Sequence, residues 1–156
     1  MAVNVRPGDP MPEVAGLTQA GTRISTKDFL GKWLVLYFYP KDKTSGCTRE
    51  AQAFNAALDA LRQRQAEVVG VSVDSPRSHQ SFADAYGLRF PLISDADKSI
   101  TSGLGLLNEK GTSARRTTFL VDPQGRVHRI FENVKVDGHV DEVLRALDEA
   151  RAAARR

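Results

Sequence analysis

The chain has one cysteine, Cys47, and its surroundings decide whether that thiol is inert or reactive. A free thiol ionises near pH 8.5, whereas a helix N-terminus or a nearby cation brings that value to roughly 3.5–7.5, and the thiolate is the nucleophile. Cys47 follows an apolar run and a polar loop, and Cys47, Ala51, Phe54, Leu58 and Leu61 then recur at helical spacing. This puts the sulfur in a first helical turn, where backbone N–H groups without intrahelical partners favour a negative charge. Thr44 lies three residues earlier: it (or Ser45) can cap the helix, worth about 1 kcal/mol, and a hydroxyl there can also bond the sulfur or a bound substrate oxygen. Pro40 either ends the preceding strand or walls the thiol against water. Glu50, one turn after Cys47, either suits the helix dipole or sits beside the thiolate. A carboxylate there opposes thiolate formation unless a cation lies between the two, so a reactive Cys47 requires an arginine from elsewhere in the chain.

Other chemistries have weaker support. His79, His128 and His139 are scattered without metal-ligand spacing and read as surface or turn residues, so no metal is expected. No histidine is aimed at Cys47 by the sequence, as a Cys/His hydrolase would need. With a single cysteine there is no Cys-x-x-Cys dithiol and no internal disulfide. Gly103-Leu104-Gly105 lacks the third glycine and the preceding strand of a dinucleotide site.

The elements that must position these residues follow from periodicity. Val14 to Thr18 and Thr22 to Ser25 predict an N-terminal β-hairpin around Ala20-Gly21, and Thr26 to Leu30 a helical turn. Trp33 to Tyr39 is continuously apolar and ends at Pro40, which predicts a strand buried on both faces. The Cys47 helix runs on through Leu61. Glu67 to Val73 is a second strand, and Asp74-Ser75-Pro76 opens a helix reaching about Tyr86. Pro91 to Ser94 predicts a short strand and Asp95 to about Leu104 a third helix. Arg115 to Val121 and Arg126 to Phe131 predict a hairpin around the turn Asp122-Pro123-Gln124-Gly125. Val140, Val143, Leu144 and Leu147 mark a last amphipathic helix, with Asp137, Asp141 and Glu142 at its start. The order predicts an α/β fold with a mixed central sheet, compatible with a thioredoxin-like arrangement.

Bulk properties set the frame. The 156 residues are 41% hydrophobic and 26% charged, ordinary for a globular chain, and no linker divides them, so one domain over 1–156 is expected. No apolar run approaches the roughly 20 residues of a membrane span, and the first residues lack the pattern of a secretory signal. One unpaired cysteine points to a cytoplasmic setting. The net charge of +3 is modest and concentrated at Arg151, Arg155 and Arg156, which reads as a solvated helix end; no nucleic-acid or membrane partner is expected.

Pro40-Lys41-Asp42-Lys43-Thr44-Ser45-Gly46-Cys47 resembles the Pro-x-x-x-Thr-x-x-Cys motif of the peroxiredoxins. The longer string from Phe38 through Cys47, Thr48 and Glu50 is similar to the peroxiredoxin Q branch, the bacterioferritin comigratory proteins, and the likeness spans nearly the whole chain. The resemblance implies a thioredoxin-like fold with helices on both faces of the sheet. It also implies a thiol-dependent peroxidase, active in antioxidant defence against hydrogen peroxide and organic hydroperoxides, with no cofactor. It further implies that Cys47 becomes a sulfenic acid, with Thr44, Pro40 and an arginine around it. The family's Arg-x-Thr-Phe pattern falls on Arg116-Thr117-Thr118-Phe119, so Arg116 is the expected cation, and strand alternation points Arg115 to the opposite face.

One departure stands out. Many peroxiredoxin Q proteins carry a resolving cysteine five residues after the first, where this chain has Gln52, and the helix from Ser75 to Tyr86, the other family position, has none. The reductant is therefore external: thioredoxin, glutaredoxin, a small thiol, or Cys47 of a second copy. Monomeric relatives make a monomer the expectation, with a homodimer as the alternative. A thioredoxin-like holdase module or a peroxide sensor are the rival readings. The holdase leaves Pro40, Thr44 and Arg116 together unexplained.

Overall fold

Trp33 through Tyr39 are all buried, as an apolar run without polar alternation requires. The computed structural model describes residues 3–154 and builds its central sheet around this segment. β1 (Ala15–Leu17) and β2 (Arg23–Ser25) pair antiparallel as a separate N-terminal hairpin. A short 3-10 helix, Thr26–Phe29, follows it, capped by Ser25. β3 (Trp33–Phe38), α1 (Ser45–Ala56), α2 (Leu58–Gln63) and β4 (Ala66–Ser72) make the first crossover unit. Then come α3 (Pro76–Tyr86), β5 (Leu92–Ser94), α4 (Ser99–Gly103), β6 (Thr117–Val121), β7 (Val127–Phe131) and α5 (His139–Ala154). The sheet order is β5-β4-β3-β6-β7, with β3, β4 and β5 parallel and β6 and β7 antiparallel, so it is mixed as expected.

Alternation along β3 feeds two cores. Val35, Tyr37 and Tyr39 pack with Cys47, Ala51 and Phe54 of α1, Phe82 of α3 and Val143 and Leu147 of α5. Leu34, Leu36 and Phe38 pack on the other face with Val14, Leu104 and Leu106, where Ile100 of α4 also lies. Gly70 is paired with Tyr37 in the β3–β4 register, and a Cβ there would stand 3.0 Å from the Tyr37 ring and 2.8 Å from Leu92, so glycine leaves the space these two side chains fill.

Three expectations about element bounds are corrected. The Cys47 helix does not run unbroken to Leu61: it breaks at Ala57, because Arg89 Nη2 takes the Asn55 carbonyl at 3.1 Å and Asn55 Oδ1 accepts the Arg89 N–H at 2.8 Å. The inward stripe survives the break, with Leu58 and Leu61 buried on α2. The third helix is only Ser99–Gly103, since Asp95 turns its carboxylate onto the Ile100 and Thr101 N–H groups and Lys98 takes a left-handed φ of 64°. β6 begins at Thr117 rather than Arg115, because the Arg115 N–H is drawn to the Leu106 carbonyl and the Arg116 carbonyl to the Val134 N–H. Of the basic cluster at the end, Arg151 donates to Gln65, while Arg155 and Arg156 lie outside the described residues. Among the described residues, no helix is long and apolar enough to cross a membrane.

Candidate active site

The site grows from the end of β3. The Tyr39 N–H still bonds the Val71 carbonyl, extending the β3–β4 ladder, and Pro40, half-buried, stops it because it has no N–H to offer. The chain turns through Lys43, whose φ of 65° is left-handed, and α1 starts after Thr44. Thr44 occupies the N-cap position, and its carbonyl accepts the first helical bond from Thr48 at 2.8 Å. Its side chain makes no capping bond, contrary to the simpler of the two sequence readings: the hydroxyl donates to the Lys41 carbonyl at 2.8 Å, which leaves its lone pairs available to an incoming donor. Cys47 lies one turn further on, 1% exposed, with Sγ inside the core that α1 shares with β3.

Arg116 joins Cys47 and Glu50. Its Nη2 donates to Cys47 Sγ at 3.4 Å and its Nη1 to Glu50 Oε1 at 2.6 Å. One guanidinium fork thus stands between the sulfur and the carboxylate, the arrangement that Cys47 and Glu50 on one helix face require. Gly46 makes room for it, since a Cβ there would lie 3.1 Å from Arg116 Nη2. Arg115 points away and donates to the Gly105 carbonyl. The structure therefore brings Cys47, Glu50 and Arg116 into contact, places Thr44 at the start of the same helix, and puts Pro40 at the strand end before the loop.

Burial pushes the Glu50 carboxyl up to about 7 from an ordinary 4.5, against the charge and hydrogen bond of Arg116, which pull it down. Its other oxygen, Oε2, is buried without a partner. Because the folded value lies above the unfolded one, the folded protein keeps a proton that the unfolded chain releases. The stability this provides is full below pH 4.5 and is lost as pH rises through 7. The unfolding free energy of the wild type relative to Glu50→Gln should therefore fall by about 3 kcal/mol between mildly acidic and mildly alkaline solution. Urea titrations at both ends of that window measure it, and a constant difference would show that Glu50 ionises at its ordinary value.

Two histidines read as surface or turn residues are in the core. His79 on α3 is fully buried and His139 at the start of α5 is 2% exposed; only His128 is exposed. Each continues an apolar stripe: His79, Phe82 and Ala83 on α3, and His139, Val143, Ala146 and Leu147 on α5. That spacing is the signal that could have found them. Their polar atoms are met inside: His139 Nε2 lies 2.8 Å from Thr118 Oγ1 and Nδ1 3.0 Å from Glu142, and its ring stands edge-on to Phe54 and Phe131. Burial lowers its pKa, with Glu142 opposing. His139 thereby fastens α5 to α1 and to β6 just beyond Arg116.

His79 meets Asp42 and Asp74, which bring one ligand-type atom each within 4.8 Å of one another. Asp42 Oδ1 accepts from Tyr39, Asp42 Oδ2 from Ser78 and Asp74 Oδ2 from Ser72, so protein donors already occupy these carboxylates. The cluster is a hydrogen-bond network rather than an open ligand set.

The AhpC/TSA family model matches residues 7–130. The chain is 42% identical over 133 residues to peroxiredoxin Bcp of Xanthomonas campestris, covering 81% of this chain and 83% of that one. The crystal structure of a Xylella fastidiosa PrxQ variant superposes with a TM-score of 0.88 at 34% identity, over 98% of this chain and 99% of that one. A structure of the Xanthomonas campestris bacterioferritin comigratory protein, described for its alkyl peroxide reduction activity, superposes with a TM-score of 0.83 at 38% identity, over 88% and 91%.

Proposed function

The chain belongs to the AhpC/TSA family, among the peroxiredoxins of the Bcp and Q kind, and from that premise we propose that it reduces peroxides through Cys47. The family makes it a thiol-dependent peroxidase with a thioredoxin-like fold. The observation that carries the assignment to Cys47 is the Arg116 fork, which holds Sγ and Glu50 at once.

The Cys47 thiolate attacks one peroxide oxygen in line with the O–O bond. An S–O bond forms, the O–O bond breaks, and the departing oxygen takes a proton to leave as water or an alcohol. Sulfur loses two electrons and becomes a sulfenic acid, the first step of the oxidation ladder. Charge moves onto the leaving oxygen during the attack. Arg116 and the Cys47 backbone N–H supply fixed donors around it, an electrostatic stabilisation set up before the reaction, while the Thr44 hydroxyl, whose hydrogen goes to the Lys41 carbonyl, can accept the hydrogen of a bound hydroperoxide. Pro40 closes one side of the site. Two external thiols, or one dithiol, then return the sulfenic acid to a thiol with loss of water and formation of a disulfide. Hydrogen peroxide and organic hydroperoxides share the O–O bond this chemistry needs, and thioredoxin, glutaredoxin or a small thiol can each supply the electrons.

Reduced protein mixed with one equivalent of hydrogen peroxide should gain the mass of one oxygen atom, located on Cys47 and reversed by dithiothreitol. An unchanged intact mass would sink the proposal.

A further inference from the structure

The loop between β3 and α1 is pinned by a buried polar cluster that the peroxide chemistry does not use. The Asp42 side chain is 2% exposed and that of His79 0%. Asp42 Oδ1 accepts from the Tyr39 hydroxyl at 2.5 Å, and Oδ2 accepts from Ser78 at 2.8 Å and faces His79 Nδ1 at 2.7 Å. The Asp42 N–H donates to Asp74 Oδ2 at 2.9 Å. On the far side of the ring, His79 Nε2 lies 3.1 Å from the Ile93 carbonyl. Both ring nitrogens thus have a partner, and the ring is held between Asp42 and the Ile93 carbonyl. The cluster ties the loop to α3 and to the ends of β4 and β5. Asp42 itself stands two residues before Thr44 and five before Cys47.

This anchoring bears differently on the two halves of the catalytic cycle. A small peroxide must find Thr44, Arg116 and Sγ in one fixed arrangement. An external thiol must reach a sulfur that is 1% exposed, which requires the first turn of α1 to move outward. We propose that Asp42 and His79 are positioning residues that clamp the loop in its closed form, speeding the reaction with peroxide and slowing access of the recycling thiol. The proposal rests on the reading of Cys47 as the peroxide-reactive residue.

The test compares Asp42→Asn, His79→Gln and the milder Tyr39→Phe with the wild type. Val127→Ala serves as a control, a truncation on the opposite face of the sheet that lowers stability without touching the loop. Three rates are read on folded protein: oxidation of Cys47 by hydrogen peroxide, reduction of the preformed sulfenic acid by dithiothreitol, and labelling of reduced Cys47 by a bulky maleimide. Asp42→Asn and His79→Gln should slow the first about tenfold and speed the other two about tenfold, as loss of a buried hydrogen bond that leaves its partner unsatisfied implies. Tyr39→Phe should move all three in the same directions by less, and it keeps the test alive if the other two fail to fold. Val127→Ala should leave them unchanged. Rates that match the control, or that all fall together, overturn the clamp. Were wild-type Cys47 unreactive towards peroxide, the peroxidase reading would fail while the maleimide rate still decided whether the loop is clamped.

Discussion

Arg116→Ala should slow the oxidation of Cys47 by hydrogen peroxide by about 10²–10³-fold, the usual cost of removing one preorganised donor from a site of developing charge. Arg115→Ala should leave the rate within a few-fold of the wild type. The difference follows from where the two guanidinium groups go: Arg116 reaches Sγ and Glu50 together, whereas Arg115 is spent on the Gly105 carbonyl. Arg116→Lys should recover little, because one ammonium group cannot reproduce the planar fork that spans both partners. Loss of Arg116 also removes the charge that pulls the Glu50 carboxyl down, so the buried carboxyl keeps its proton to higher pH. Rapid mixing of each reduced variant with peroxide, followed by quenching and mass measurement, separates the two arginines. Equal slowing by both alanine variants would show that the reactive sulfur does not depend on the Arg116 contact.

The pairing of Arg116 with Cys47 illustrates what a sequence can show. Strand and helix existence came through strongly, because the apolar run from Trp33 to Tyr39 and the stripe from Cys47 to Leu61 are local patterns with unambiguous periods. The need for a cation near Glu50 was also legible, since two anions on one helix face demand one. Which arginine meets that need was not a local matter. Arg115 and Arg116 both precede β6, and it is the pull of Leu106 on one backbone and Val134 on the other that turns them apart. The motif likeness selected Arg116 where strand alternation offered only an argument about a strand that in fact starts later. His79 was misread for a related reason. Its partner Asp42 sits 37 positions away, so no window of sequence contains both, and a polar ring on an apolar stripe looks the same whether or not a buried carboxylate awaits it. The broken helix at Ala57 likewise depends on Arg89, which only tertiary structure brings to Asn55.

Peroxide consumption without an added thiol should stop within about three equivalents per chain, one for the sulfenic acid and at most two more for the sulfinic and sulfonic acids, and a reductant should convert this limited uptake into sustained turnover. The sulfenic acid on Cys47 needs a second thiol, and this chain has no other cysteine. Gln52, at one of the two places where the family resemblance leads one to expect a resolving cysteine, is exposed on α1 and has no redox chemistry. The only sulfur of cysteine type that the protein itself can offer is Cys47 of another copy, and burial hides it as thoroughly as the first. A small dithiol is therefore expected to sustain turnover at a rate set by the fraction of time the first turn of α1 is open and by the thiol concentration, with little saturation. Following peroxide loss with excess oxidant, alone and then with dithiothreitol or a thioredoxin system, gives the stoichiometry directly, and non-reducing electrophoresis shows whether two chains become joined through Cys47. Continued consumption in the absence of any thiol would contradict the scheme, because no second electron donor would then account for the return of Cys47 to its reduced state.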